Sequence, residues 1–138
     1  MNMKKFYLFL FIALAWTISA SAQVPAFPGA DGYGRYTTGG RGGEVYYVTS
    51  LEDTDTPGTL RYGVTHLSKV TILFKVSGTI QLNSSLNIRG SNITIAGQSA
   101  PGDGICLAGY PVSVSGSNVI VRYMRSVSYT HLRAHETL

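Results

Sequence analysis

Two histidines near the end of the chain have a spacing that could bind a metal. His131 and His135 are four residues apart, so on a helix they would share one face and could coordinate zinc. The order is not His-Glu-x-x-His, which leaves the general base of a zinc protease misplaced. Glycine and the alternating strand pattern both stop within residues 126–138. We therefore expect this tail to lie outside the domain and to be foreign sequence, with a frayed terminus or a metal site as alternatives.

A pair of carboxylates offers a second candidate. Asp53 and Asp55 flank Thr54 in a polar segment, and two carboxylates at this spacing could hold a hard cation such as calcium. The segment also precedes an expected helix, where acidic residues commonly interact with the helix dipole. We expect the second role.

Four further motifs fit structural roles better than chemical ones. The run Gly39–Gly43 lacks the Gly-Lys-Ser/Thr ending of a phosphate-binding loop and is expected to be a glycine turn before a strand at Glu44–Val48. Cys106 is the single cysteine, which excludes an internal disulfide, and it suits a strand. The glycosylation sequons at Asn83 and Asn92 fit turns.

The first 22 residues have the three parts of a secretory signal peptide. Lys4 and Lys5 precede an apolar run at Phe6–Ile18, and small residues then lead to an expected cleavage between Ala22 and Gln23. A membrane-spanning helix needs about 20 apolar residues, so the run is too short for an anchor. We predict a secreted protein, extracellular or periplasmic, with no membrane association after the signal is removed.

The charge of the remaining chain excludes one class of partner. Without Lys4 and Lys5, nine basic residues face seven acidic ones, a net charge of +2. This value suits an acidic polymer and is too small to indicate nucleic-acid binding. The sequence after the signal segment has no apolar run long enough to span a membrane.

Short strands dominate the pattern after one helix. Residues 56–67 predict an amphipathic helix with Thr56 as cap, Pro57 at its first position and Leu60, Val64 and Leu67 on its apolar face. Runs of three to six residues bounded by turn residues then predict strands, without the crossover helices of an α/β fold. These strands are Thr71–Val76, Thr79–Leu82, Leu86–Ile88, Ile93–Ala96, Ile105–Leu107, Val112–Val114 and Val119–Arg122.

An internal repeat selects among the all-β folds. Residues 86–95 recur 26 residues later as 112–121, with the same Gly-Ser-Asn turn between two apolar strands. This period is typical of one coil of a parallel β-helix, in which each coil stacks on the one before. Asn92 and Asn118 would then form a hydrogen-bonded ladder. A chance match between two hairpins of a β-sandwich is the alternative.

Motifs across residues 26–125 resemble the pectate lyases of the first polysaccharide lyase family. The resemblance implies an all-β, right-handed parallel β-helix with a short N-terminal capping helix, here truncated at its C-terminus. It assigns residues 23–125 to the N-terminal part of that domain. The matching segments are Ala26–Gly34, Thr38–Gly43, Tyr46–Leu51, Gly58–Arg61, Phe74–Ile80, Asn92–Ile105 and Asn118–Arg125.

The resemblance also implies a reaction. Members of the family cleave α-1,4-polygalacturonate by calcium-assisted β-elimination, with an arginine as the base. The family's calcium carboxylates and catalytic arginine lie on later coils, so we expect no catalytic or metal-binding residue in this chain and calcium only in a longer parent. Arg122 and Arg125 match a structural strand and are not assigned as the base.

We therefore expect an inactive fragment of a secreted pectate lyase that acts on acidic plant polysaccharide as a monomer. A non-catalytic β-helix that binds glycans or serves as an adhesin is the main alternative, and a pectin esterase is a third.

Overall fold

The computed structural model of the chain describes Met3 and residues 22–128. Within these residues, nine strands and one α-helix follow an N-terminal arm, defined here as residues 25–43. Among the described residues, no helix is long and apolar enough to cross a membrane. The elements are β1 (Glu44–Val48), α1 (Leu60–His66), β2 (Val70–Phe74), β3 (Gly78–Gln81), β4 (Leu86–Ile88), β5 (Ile93–Ala96), β6 (Ile105–Gly109), β7 (Val112–Val114), β8 (Val119–Arg122) and β9 (Met124–Ser128).

All strand pairs are parallel and join successive coils. We count α1, β2 and β3 as the first coil, β4, β5 and β6 as the second, and β7, β8 and β9 as the third. The first sheet has the order β1-β2-β5-β8, the second β3-β6-β9 and the third β4-β7. Leu86 pairs with Val112 and Ile93 with Val119, so the two copies of the sequence repeat lie one above the other. The expected parallel β-helix is confirmed, and the sandwich alternative is wrong because every strand pair is parallel and the two strands of each repeat copy belong to different sheets.

One apolar column fills the space between the three sheets. Alternate residues of each strand point into it, as the period of two requires. Leu86, Ile88, Ile93 and Ile95 are each at most 2% exposed, as predicted. Each such side chain contributes about 1.5–3 kcal/mol when fully buried. The column therefore holds the coils together without a disulfide.

The tight turns between the third and first sheets have left-handed backbone. Asn92 has φ 60° and Asn118 has φ 56°, a region that asparagine tolerates better than most residues. Nδ2 of Asn118 donates to Oδ1 of Asn92 at 2.6 Å. The predicted asparagine ladder is thus confirmed. Lys69 occupies the equivalent turn of the coil before, with φ 50°.

Helix α1 packs against β1 and β4 at the N-terminal end of the stack. Leu60 and Val64 enter the common core, as predicted. The helix begins later than expected, because the cap is Thr59, whose hydroxyl accepts from Tyr62 N at 3.3 Å, and not Thr56. Gly58, with φ 96°, forms a turn that keeps Pro57 outside the helix.

The N-terminal arm crosses the outer side of the first sheet. Oδ1 of Asn118 accepts from Thr38 N at 2.9 Å and from Gly39 N at 3.1 Å, and Gly40 N donates to Oγ1 of Thr94 at 2.9 Å. A Cβ on Gly39 would lie 2.1 Å from Oγ1 of Thr94, so the close approach requires glycine. The arm thereby joins residues before β1 to the third coil.

Three strands have bounds that differ from the predictions, and one strand is additional. β6 ends at Gly109, later than the predicted Leu107. β2 begins at Val70 and ends at Phe74, and β3 begins at Gly78 and ends at Gln81. β9 was not predicted, and it pairs in register with β6 as far as Ser128, which pairs with Gly109. Strand structure thus continues past residue 125, while the origin of residues 126–138 stays a prediction. The histidines at 131 and 135 and most of the signal segment lie outside the described residues.

Candidate functional site

A shallow cleft of about 390 Å³ lies where the chain passes from the first sheet to the second. One wall is the loop after β5, and the other is the corner between β8 and β9. Its lining combines glycine backbone with an aromatic ring, an amide and two charged groups. The lining residues are Gly97, Gln98, Ala100, Gly102, Asp103, Gly104, Ile105, Tyr123, Met124 and Arg125.

Hydrogen bonds to the coil below fix the loop wall. Oγ of Ser99 donates to Ala96 O at 2.7 Å and accepts from Phe74 N at 2.8 Å. A Cβ on Gly97 would lie 2.3 Å from Tyr123 O. Only glycine therefore allows the β8–β9 corner to sit directly over this loop.

Arg125 stands on the solvent side of β9, next to Cys106 in the paired strand. Its Nη2 donates to the backbone oxygen of Asp103 at 2.7 Å. This bond joins the two walls of the cleft and orients the guanidinium. Its remaining N–H groups are donors for an anion, because guanidinium has five donors and no acceptor.

The corner itself places an aromatic ring in solvent. Tyr123 is 68% exposed, and its φ of 54° is unusual for a bulky residue. Cζ of Arg122 lies 5.2 Å from the centroid of the Tyr123 ring and 4.2 Å from that of Phe27 in the N-terminal arm. Within residues 22–128, neither Arg122 nor Arg125 forms a salt bridge with a carboxylate.

The two candidate calcium ligands, Asp53 and Asp55, form ion pairs and hydrogen bonds with other side chains of the chain. Both carboxylate oxygens of Asp53 accept from Arg61, at 2.8 Å each, and Oδ2 also accepts from Asn83 N at 2.7 Å. Asp55 pairs with His66 at 2.9 Å on the surface. Both acids therefore bind side chains of α1, Asp53 through Arg61 and Asp55 through His66.

No calcium site can be assigned to the described residues. Among them, no group of three or more His, Cys, Asp or Glu side chains could hold a metal ion. Calcium prefers six to eight oxygen ligands, several of them carboxylates. We therefore derive no step through calcium from this part of the chain.

The remaining sequence candidates have structural surroundings. Gly40 and Gly43 approach the backbone of β2 and of Lys69 in a tight turn. Cys106 is half-buried on β6. Asn92 belongs to the ladder, and Nδ2 of Asn83 donates to Asp53 O at 3.2 Å.

Local sequence did not indicate the stacking at the corner. Arg122 was assigned to a structural strand, and that position at the end of β8 is confirmed. Its contact with Phe27 joins segments far apart in sequence, which no local pattern reports. The left-handed turn at Tyr123 carries neither glycine nor asparagine, so it gives no turn signal.

Comparison with known proteins finds relatives that are similar to most of this chain. Probable pectate lyase C of Emericella nidulans is 42% identical over 115 residues, covering 83% of this chain and 27% of that protein. The chain is homologous to pectate lyases. Pectate lyase 1 of Hesperocyparis arizonica is 46% identical over 72 residues, covering 50% of the chain and 19% of that protein.

A solved structure supports the fold of this pectate lyase homologue. The 1.7 Å crystal structure of Jun a 1, the major allergen from cedar pollen, is similar with a TM-score of 0.53 and 33% identity. The similarity covers 70% of this chain and 29% of that one. No protein-family model matches the sequence. The chain spans about a quarter of the length of the curated relatives, 27% in the first case.

Proposed function

We propose that this chain provides the first coils of a secreted, calcium-dependent pectate lyase that cleaves α-1,4-polygalacturonate by β-elimination. The observation that carries the proposal is the 42% identity to a probable pectate lyase over 115 residues. The parallel coil architecture supports it, because a solved structure similar to this chain at 33% identity covers 70% of it.

The proposed reaction removes the proton at C5 of a galacturonate unit and breaks the C4–O bond to the leaving sugar. Electrons of the C5–H bond form a C4–C5 double bond, and the leaving oxygen takes up a proton. Negative charge develops beside the C5 carboxylate and needs stabilisation by positive charge. We propose that the calcium ligands and the arginine base belong to the rest of such a protein, and that residues 22–128 support and orient those coils.

Secretion and processing form part of the proposal. We propose cleavage between Ala22 and Gln23, followed by a domain that acts as a monomer outside the cytoplasm. Both residues are exposed and precede the first contact of the arm, which is consistent with access by a peptidase. Mass spectrometry of exported protein would give an N-terminus at Gln23. An N-terminus retained at Met1 would contradict this step.

A chimera tests the lyase proposal directly. Residues 23–128 replace the aligned segment of the Emericella nidulans protein, and product is measured by the ultraviolet absorbance of unsaturated oligogalacturonides with and without added calcium. We expect calcium-dependent product, because stacked coils of homologous sequence should support the same downstream site. The matched control carries Ile93→Asp, which places a charge in the core and should abolish product.

Two outcomes would contradict the proposal. A folded chimera without product would show that these coils do not support lyase chemistry. A folded chimera that binds polygalacturonate without cleaving it would favour the non-catalytic glycan-binding alternative.

A further inference from the structure

We infer that the corner of Arg122, Tyr123 and Arg125 is a binding site for the uronate units of an acidic polysaccharide. The inference deepens the proposed function and rests on it for the class of polymer. The described residues of these coils contain no acidic cluster that could hold a metal ion, so the site would contact the chain of sugars away from the bond that is cleaved. Its parts are the exposed Tyr123 ring, the Arg122 guanidinium beside that ring and the Arg125 guanidinium in the lining of the same cleft as Tyr123.

Arg122 has the geometry of a prepared anion donor. Its guanidinium stacks on Phe27 at 4.2 Å and approaches Tyr123 at 5.2 Å, which restricts its orientation. Stacking uses the faces of the group and leaves its N–H edges available. Within residues 22–128, no atom accepts a hydrogen bond from these edges. A carboxylate fits such an edge through two parallel hydrogen bonds.

The contrast with Arg61 supports a ligand role. Arg61 is a structural arginine of the same chain, and its donors reach both oxygens of Asp53 and the carbonyl oxygens of Ser84 and Ser85. Arg122 is also partly buried but has no such acceptors among the described residues. An arginine needed only for packing would not require free donor edges beside Tyr123, the aromatic residue that lines the cleft.

Tyr123 supplies the surface for the sugar. A tyrosine ring presents an apolar face on which the C–H face of a pyranose can pack, and its hydroxyl can hydrogen-bond at the edge. The ring is 68% exposed beside the cleft. Left-handed backbone in a bulky residue costs energy, about 1–3 kcal/mol, and such strain is concentrated at ligand sites. At the ladder turns, Asn92 and Asn118 adopt the same left-handed conformation and carry no aromatic ring.

The charge of the site favours an acidic polymer over a neutral one. Arg122 and Arg125 contribute two positive charges, while Asp103 on the cleft lining contributes one negative charge. The Asp103 backbone oxygen holds Arg125 at 2.7 Å, so the arginine remains at the cleft. A polymer with one carboxylate on every sugar can meet both guanidinium groups, and a neutral galactan cannot.

Titration of trigalacturonate into the full chain by calorimetry tests the inference, with galactotriose as the neutral probe. We expect binding of the acidic probe to weaken at high salt, because the contacts are ionic. Arg122→Gln should weaken it by about tenfold or more, since a hydrogen bond to a charged group is worth more than one decade in affinity. Tyr123→Asn should also weaken it, because it removes the ring on which the sugar packs. Asparagine keeps the left-handed turn, so the second change removes only the ring. Arg89→Gln, an exposed arginine in another turn, should leave binding unchanged.

A purely structural role for Arg122 predicts a different result. If it only fastens the N-terminal arm, Arg122→Gln would speed hydrogen exchange at the Gly39 and Gly40 amides and leave trigalacturonate binding intact. That outcome overturns the inference, as does equal binding of both sugars or no binding by the unmodified chain. Binding is measured without turnover, so an inactive chimera would count against the lyase proposal alone.

Discussion

The two copies of the repeat have similar sequences and different surroundings. Ile88 and Ile95 in the second coil are each 2% exposed, whereas Val114 and Val121, which stack on them, are 52% and 45% exposed. Strands lie on both sides of β5, but on only one described side of β8. The comparison shows that an apolar residue of a solenoid acquires its stabilising effect from the coil that covers it.

The polar ladder shows the opposite trend. Asn118 in the third coil has bonds to Thr38 N, Gly39 N, Oγ1 of Thr38 and Oδ1 of Asn92. Asn92, one coil earlier, is bonded through its side chain to Asn118 alone among the described residues. The arm therefore compensates, at one turn, for the weaker apolar packing of the outer coil.

The largest loss of stability is expected at the N-terminal end of the stack, where α1 packs against the strands. Arg61→Gln should lower the free energy of unfolding by about 3–5 kcal/mol, because it leaves a buried carboxylate without its partner. The side chain of Asp53 is only 1% exposed. Urea unfolding followed by circular dichroism measures the change.

The surface pair in the same cap is the matched control for that change. Asp55→Asn removes the partner of His66, and both side chains are about half exposed, at 53% and 46%. Its effect should be below about 1 kcal/mol. Equal losses for the two variants would contradict the assignment of Asp53 as the acid that holds the cap.

The next effect compares two residues that stack on each other, Ile95 in the second coil and Val121 in the third. Ile95→Ala should cost about 3 kcal/mol, since it creates a cavity in a packed core. Val121→Ala should cost less than about 1 kcal/mol, because nearly half of its surface is already in solvent. Urea unfolding of both variants checks the difference. If Val121→Ala were as damaging as Ile95→Ala, a covering contact on the third coil would have to exist.

The third effect tests the ladder. Asn118→Gly keeps the left-handed turn and removes four side-chain hydrogen bonds, so we expect a loss of about 2 kcal/mol, localised to the arm. Hydrogen exchange at the Thr38 and Gly39 amides should accelerate. Asn92→Gly removes one of these bonds and should cost about 1 kcal/mol or less. Faster exchange at Thr38 in the Asn92 variant than in the Asn118 variant would argue against the arm contact.

Much of the fold was predictable because its signals are local. The bounds of β4, β5, β7 and β8 follow from apolar residues between glycine, serine and asparagine, and the repeat gives the stacking partner. β9 was missed because Tyr123 alone separates it from β8 and carries no turn signal. The later start of α1 depends on the left-handed Gly58, which displaces Pro57 from the first helical position.

The candidate site was less predictable, since it depends on contacts between distant segments. Nothing near Arg122 in sequence indicates that Phe27 covers its guanidinium. The burial of Asp53 likewise depends on Arg61 and on the loop at Asn83, so sequence alone left open a cation site there. Sequence patterns predict which residues enter the core, but they do not predict which surface side chains contact one another.

The smallest expected effect is a gain in stability. It tests whether the asparagine ladder can be extended to the first coil. Lys69 has left-handed backbone, with φ 50°, at the position equivalent to Asn92 and Asn118. Lys69→Asn should raise the free energy of unfolding by about 0.5–1 kcal/mol, because asparagine tolerates this conformation and its amide oxygen can accept from Nδ2 of Asn92. Ser68→Asn, at the preceding exposed position, is the control and should have no effect. A loss of stability for Lys69→Asn in urea unfolding would mean that the turn conformation and the register of the ladder do not extend below the second coil.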